Sequence, residues 1–198
     1  MSDDAPAAMP ARPFSSAADA LAGHRREQLL SMYRPGEEVD DSGSELAEIV
    51  DLARRVTGAD AGQLNMLGAD RQVTWHEAGT PSPHRSVPLS NSVCSAVLDD
   101  RGADQVIVVP DTAADPLLRD HPAVTGPPGI SFYAGAPLTS THGWPMGMLC
   151  VWSSSPADLD ELQRRVLRQL GHAAMHILET RRRTGTANAM PGTDRRDV

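Results

Sequence analysis

The 198-residue chain reads as an α+β domain, a central antiparallel β-sheet flanked by helices, with long N- and C-terminal helices. Three observations predict this. Apolar residues recur at helical spacing near both ends, they recur at a period of two in between, and the period-two segments fall in pairs joined by turn residues. Hairpin-like pairs bracketed by helices give an antiparallel sheet with a helical layer, not an alternating parallel fold.

Taken in order, Met1 to Ser16 is rich in Ala, Pro, Ser and Asp without periodicity and is expected to be disordered. Ala17 to Tyr33 carries Leu21, Leu29 and Met32 on one helical face and stops at Pro35-Gly36, so residues 17–43 read as an N-terminal helix and linker. Ser44 to Thr57 is a second helix through Leu46, Ile49, Val50, Ala53 and Val56, with Ser44 as cap and Gly58 as stop. From Ala61 the period changes to two, and the turn Gly68-Ala69-Asp70 leads to a hairpin partner at Val73 to Ala78. Prolines 81, 83 and 88 make Thr80 to Leu89 a loop or edge. Ser90 is the expected cap of a short helix to Leu98, and Val106 to Val109 is a short buried strand. Pro110 to Gly129 is a long connection with one helical turn near Leu117. Phe132 to Leu138 and Met146 to Trp152 are the last strands, and Asp158 to Arg183 is the final helix. The folded domain is thus expected over 44–183, with 184–198 a disordered tail.

Composition narrows the functions. The net charge of −8 opposes a phosphate backbone, and few aromatics are present to stack on bases, which excludes nucleic acid as a main partner. The chain has no lysine, and that removes both a Walker-type phosphate loop and a pyridoxal Schiff base. Two cysteines do not make a disulfide framework, the first residues lack a secretory pattern, and no run reaches the length of a membrane span. The expectation is a cytoplasmic protein of bacterial type with reduced thiols and no membrane contact.

Cys94 falls four positions into the short helix, where the helix dipole favours a thiolate, although a buried structural thiol fits the same position. Cys150 lies in the apolar run Met148 to Trp152 and reads as core; two thiols facing one another would make a redox switch. His172 and His176, with Glu179, project from one side of the last helix. No glutamate stands beside the first histidine, so a solvated face is expected and no metal is assigned. No Gly-x-Ser-x-Gly elbow is present, and no catalytic residue is assigned. The final helix carries Leu159, Leu162, Val166, Leu170, Ala173 and Ile177 as a seam, widened by Leu167, Ala174 and Leu178, which suits packing on the sheet and on a second chain together.

The run Gly129-Ile130-Ser131-Phe132-Tyr133-Ala134-Gly135-Ala136-Pro137-Leu138 resembles the bacterial GAF domain family. Ser92-Val93-Cys94, Val108-Val109-Pro110-Asp111-Thr112 with Asp115-Pro116, and Gly147-Met148-Leu149-Cys150-Val151 support the resemblance, which spans Ser44 to Arg183. The chain departs from the family pattern at Val93, at Ser131 and at Trp152-Ser153, where similar domains carry Phe, Arg and Asp. Without lysine it also lacks the signature of cyclic-nucleotide-binding members. The resemblance implies a GAF/PAS-like fold and a stand-alone signal-transduction sensor of a small molecule or redox state, relayed through a homodimer of terminal helices to a separate signalling protein. By analogy and polarity, the ligand-binding residues are Asn65, Trp75, Ser92, Cys94, Asp111, Phe132 and Tyr133, in a pocket between the sheet and the segments 81–98 and 111–133. The cofactor stays unknown. A ligandless dimerisation adapter and a free methionine sulfoxide reductase using Cys94 are the alternatives.

Overall fold

The structure, a computed structural model, describes residues 45–103 and 105–188, with side chains through Arg183. It contains helix α1 (Glu45–Thr57), strands β1 (Ala61–Leu67), β2 (Arg71–Gly79) and β3 (Ser86–Pro88), helix α2 (Val93–Arg101) and strand β4 (Ile107–Val109). A single turn α3 (Pro122–Thr125), strands β5 (Phe132–Thr139) and β6 (Pro145–Ser153), and helix α4 (Glu161–Asn188) complete it. The helix expected over 17–33 and the cap expected at Ser44 lie outside the described residues. The last helix runs on to Asn188, beyond the Arg183 expected from its apolar pattern.

The six strands form one antiparallel sheet in the order β3-β2-β1-β6-β5-β4. β1 and β6 occupy its centre, and the proline-bounded β3 blunts one edge, as proline in a sheet requires. Both faces of the sheet are covered. On one, α1 contributes Leu46, Ile49, Val50 and Ala53 and α4 contributes Leu167, Ala174, Met175 and Leu178, packed on Leu64, Met66, Phe132, Ala134, Leu149 and Val151. On the other, α2 and the 110–131 segment set Val93, Cys94, Val97, Leu118 and Ile130 against Leu67, Tyr133, Met148, Cys150 and Trp152. All seven residues of β1 are therefore buried. Its period of two does not separate core from solvent; it deals residues alternately into two cores.

Local signals explain the helix ends. Glu45 and Glu48 stand in the first turn of α1 and Arg54 and Arg55 in the last, matching the helix dipole, and Gly58 follows at φ 70°. The cap of α2 is Ser92, not Ser90: its hydroxyl accepts the Ser95 N–H, and Leu89–Asn91 forms a 3₁₀ turn ahead of it. Cys94 is consequently the second residue of the helix. β2 bulges opposite Leu64 and Asn65, so that Asn65 pairs with Thr74 and Trp75 is left over on the side covered by α1 and α4.

The seam of α4 also differs from expectation. Leu167, Ala174 and Leu178 are its inward residues, whereas Leu162 is 65% exposed and Ala173 faces solvent. Gly171 lets the helix lie close to β5, since a Cβ there would stand 3.0 Å from the Ala136 Cβ. No helix among the described residues is long and apolar enough to cross a membrane. The inward seam is tested by urea denaturation: Leu167→Ala costs about 2–5 kcal/mol, and Leu162→Ala stays within about 0.5 kcal/mol of the parent.

Candidate functional site

Polar residues gather at one place beneath α2. Gln63 and Asn65 alternate on β1, Thr74 faces Asn65 from β2, Cys150 rises from β6, Tyr133 from β5, and Cys94 comes down from the first turn of α2. Each of these six side chains is buried. Burial in a core obliges polar groups to satisfy one another, and they do so around the Asn65 amide. Its Nδ2 donates towards Cys94 Sγ at 3.4 Å, Cys150 Sγ at 3.3 Å and Gln63 Oε1 at 3.3 Å. Its Oδ1 accepts the Thr74 hydroxyl at 2.7 Å. The Tyr133 hydroxyl donates to Cys94 Sγ at 3.2 Å, and the two sulfurs lie 3.8 Å apart. Gly135 makes room for this tyrosine, because a Cβ there would sit 2.9 Å from its hydroxyl oxygen.

The two thiols are electrostatically unequal. Hydrogen bonding from the Cys150 thiol holds Cys94 below the ordinary thiol range; burial opposes this, and the donors on Tyr133 and Asn65 add to it. Cys150 is pushed well above that range by its hydrogen bond to Cys94, by burial and by the Cys94 charge. Tyr133 is pushed well above the usual phenol range, first by burial and then by the Cys94 charge. Of the three groups, Cys94 is therefore the one that ionises first.

Of the seven expected site residues, Asn65, Cys94 and Tyr133 meet in this cluster. Ser92 stands beside it as the helix cap, its hydroxyl donating to Gln72 Oε1 at 2.6 Å, so that it anchors α2 to β2. Trp75 and Phe132 pack on the opposite face, under α1 and α4. Adjacent strand residues alternate faces, so Phe132 and Tyr133 cannot line one pocket. Asp111 turns back on the Ala113 N–H at 3.0 Å, in a local turn that opens the 110–131 segment. Gln63, Thr74 and Cys150 were not among the expected residues. The polar pair Gln63 and Asn65 in a strand of otherwise apolar character was the available signal; nothing local in the sequence pairs Cys150 with Cys94.

Elsewhere, His172 and His176 are exposed, but Glu179 is not on their solvated face. It is buried, accepting the Thr141 backbone N–H at 3.3 Å and hydroxyl at 3.2 Å while paired with Arg182 at 3.0 Å. This clamps α4 to the β5–β6 turn. His121 caps α3 through Nδ1, which accepts the Ala123 N–H, and its buried Nε2 is without a protein partner. Among the described residues no group of three or more His, Cys, Asp or Glu side chains is placed to hold a metal.

A family model described as GAF domain matches residues 42–178. A cyclic di-GMP phosphodiesterase of Pseudomonas aeruginosa is 35% identical over 116 residues, which is 58% of this chain but only 19% of the length of that relative. Among solved structures, the GAF domain of an Acinetobacter phosphoenolpyruvate-protein phosphotransferase superposes with a TM-score of 0.58 at 16% identity, covering 86% of this chain and 99% of its own. The free methionine-R-sulfoxide reductase of Neisseria meningitidis, in complex with its substrate, gives 0.57 at 22% identity, covering 89% of this chain and 99% of its own. At these identities the structural likeness speaks for the fold.

The inequality of the thiols is measurable. Ultraviolet thiolate absorbance followed against pH shows a first step below the ordinary thiol range and a second above it. Cys94→Ser removes the first, and Tyr133→Phe raises it. Two thiols titrating together at the ordinary value would refute the assignment.

Proposed function

The chain belongs to the GAF domain family, and on that basis we propose that it is a signal-transduction sensor whose input is the redox state of the buried dithiol cluster. The observation that carries this reading is the 3.8 Å approach of Cys94 and Cys150 inside a polar cluster whose other members hold both sulfurs. In a cytoplasmic setting both thiols rest reduced, and a shift in redox poise joins them. The buried polar side chains on this face bond to one another and to both sulfurs, which favours thiol chemistry over a bound small molecule.

The output is the helical layer on the other face. Leu149 and Val151 flank Cys150 on β6 and are fully buried beneath α1 and α4. A displacement of Cys150 therefore reaches the helices through its two chain neighbours. α1 and α4 carry exposed leucines, Leu52 and Leu162, and in this reading they present the surface of a homodimer whose packing changes with the input. A separate signalling protein reads that change. The phosphodiesterase activity named for the P. aeruginosa relative stays with that protein, of which the matched part is a small fraction.

Small-molecule reception is a second reading, favoured by the unpartnered His121 Nε2. Burial holds this histidine below its ordinary pKa, so it is neutral near pH 7 and, with Nδ1 accepting, offers an N–H from Nε2 to a guest. Native mass spectrometry of the protein purified from its own host separates the two readings. A stoichiometric bound molecule lost in His121→Phe supports reception, and its absence from the parent protein sinks it.

For the redox reading, the full chain is compared in dithiothreitol and after treatment with diamide, which joins thiols without supplying oxygen. Hydrogen exchange in α1 and α4 and the sedimentation coefficient are expected to change together, and not in Cys150→Ser. Formation of the disulfide with unaltered exchange in both helices would sink the sensor reading.

A further inference from the structure

We propose that the cluster responds to hydrogen peroxide, with Cys94 as the sulfur that attacks the peroxide and Cys150 as the sulfur that resolves the product into a disulfide. This rests on the reading of the cluster as the sensor's input, and adds to it the chemical class of the signal and a separate role for each thiol.

Geometry distinguishes the sulfurs. Cys94 Sγ accepts from two donors on two different strands, the Tyr133 hydroxyl on β5 and the Asn65 amide on β1, and lies 3.8 Å from Cys150 Sγ on β6. It also lies in the first turn of a nine-residue helix, whose free N–H groups favour negative charge. Cys150 sits in the middle of the central strand β6 and accepts from the Asn65 amide, but it lies on no helix terminus. The arrangement stabilises charge on Cys94 and keeps the proton on Cys150. A thiolate with a protonated thiol in contact is the pairing that peroxide chemistry needs, because the first sulfur is oxidised and the second condenses with it.

The steps balance. Cys94 enters as thiolate, its proton released to solvent. Its sulfur attacks one peroxide oxygen, the O–O bond breaks, and an S–O bond forms, giving Cys94 sulfenic acid. The departing hydroxide takes up a proton and leaves as water. The Cys150 thiol then gives up its proton as its sulfur attacks the Cys94 sulfur; the S–S bond forms, the S–O bond breaks, and hydroxide leaves with that proton as a second water. Two thiols and one peroxide thus become one disulfide and two waters, each sulfur losing one electron and the peroxide gaining two. A dithiol reductant restores the resting state. To close, the sulfurs travel from 3.8 Å to ~2.05 Å, so oxidation draws the first turn of α2 and strand β6 together.

Burial sets the selectivity. Cys94 is 2% exposed and Cys150 1% exposed, and the cover is α2 and the 110–131 segment, joined by an ion pair between Arg101 and Asp115. An oxidant the size of water reaches such a site by small fluctuations, whereas an arylalkyl hydroperoxide needs the cover to open. Tyr133 is a positioning residue in this scheme: its hydroxyl orients and stabilises the Cys94 thiolate.

The experiment uses the full chain, reduced and freed of reductant, with one equivalent of hydrogen peroxide. Intact mass is expected to fall by two hydrogens, and brief treatment in the presence of dimedone to label Cys94 and not Cys150. This mapping on the parent protein holds even if a cysteine variant folds poorly. Cys150→Ser is expected to accumulate sulfenic acid at Cys94. Tyr133→Phe is expected to oxidise about tenfold more slowly at neutral pH, the loss of one hydrogen bond to a charged group, with its rate–pH midpoint moved upward. Cumene hydroperoxide is expected to react more slowly than hydrogen peroxide on the folded protein and comparably on the urea-unfolded one. Dimedone on Cys150, or a peroxide rate equal to that of the unfolded chain, overturns the proposal, as does faster disulfide formation with free methionine-R-sulfoxide. If diamide still moves α1 and α4 while peroxide does not react, the sensor reading survives and this inference alone falls; if neither reagent moves the helices, both fall.

Discussion

Asn65 lies at the centre of a sheet that is covered on both faces, and every polar atom placed there has to be satisfied without water. That constraint organises the site. One carboxamide has an oxygen that accepts and two N–H groups to place, and its neighbours meet both needs: a hydroxyl donates to its oxygen, and another carboxamide and two sulfurs share its two N–H groups. Thiols are soft, weak acceptors that lose little on leaving water, so a core can hold two of them where it would not hold two carboxylates. The polar cluster and the apolar core around it are solutions to one problem, and removing the amide would leave several groups unpaired at once.

Much of the architecture was legible because it rests on short-range periodicity. Both hairpins, the helix beginning near Glu45 and the long final helix are visible in the spacing of their apolar residues, and the family resemblance agrees with their order. What misled was the double cover of the sheet. In a strand buried on both faces, period two states which residues share a side but not which side is which, and Phe132 beside Tyr133 looks like one aromatic wall when the two rings point apart. The same ambiguity affected α4. Leu162 and Leu167 are equally apolar in sequence, and only the closeness of Gly171 to Ala136 decides which of them turns inward. Cap choice failed for a related reason: Ser90 and Ser92 are chemically alike, but Ser90 lies inside a 3₁₀ turn over Leu89–Asn91 that ends just before Ser92.

The site itself was half readable. Asn65, Cys94 and Tyr133 stand out by residue type within apolar surroundings. Cys150 does not, since a cysteine between Leu149 and Val151 is indistinguishable from a small core residue until the neighbouring strands are laid beside it. Long-range pairing is what a single sequence carries least. The same fold occurs in a phosphotransferase GAF domain and in a sulfoxide reductase among the structures it superposes on, so the sheet by itself does not specify a function.

Glu179 gives the final helix a mechanical character. It is the last buried side chain among the described residues, tied to the β5–β6 turn through Thr141 and braced by Arg182. The backbone continues as helix from Thr180 to Asn188, which at 1.5 Å per residue is about 13 Å of rod beyond Glu179. Such a rod has the proportions of a lever arm, with Glu179 at its base. By geometry alone, a rotation about Glu179 too slight to disturb packing on the sheet is a larger displacement at the far end of the helix.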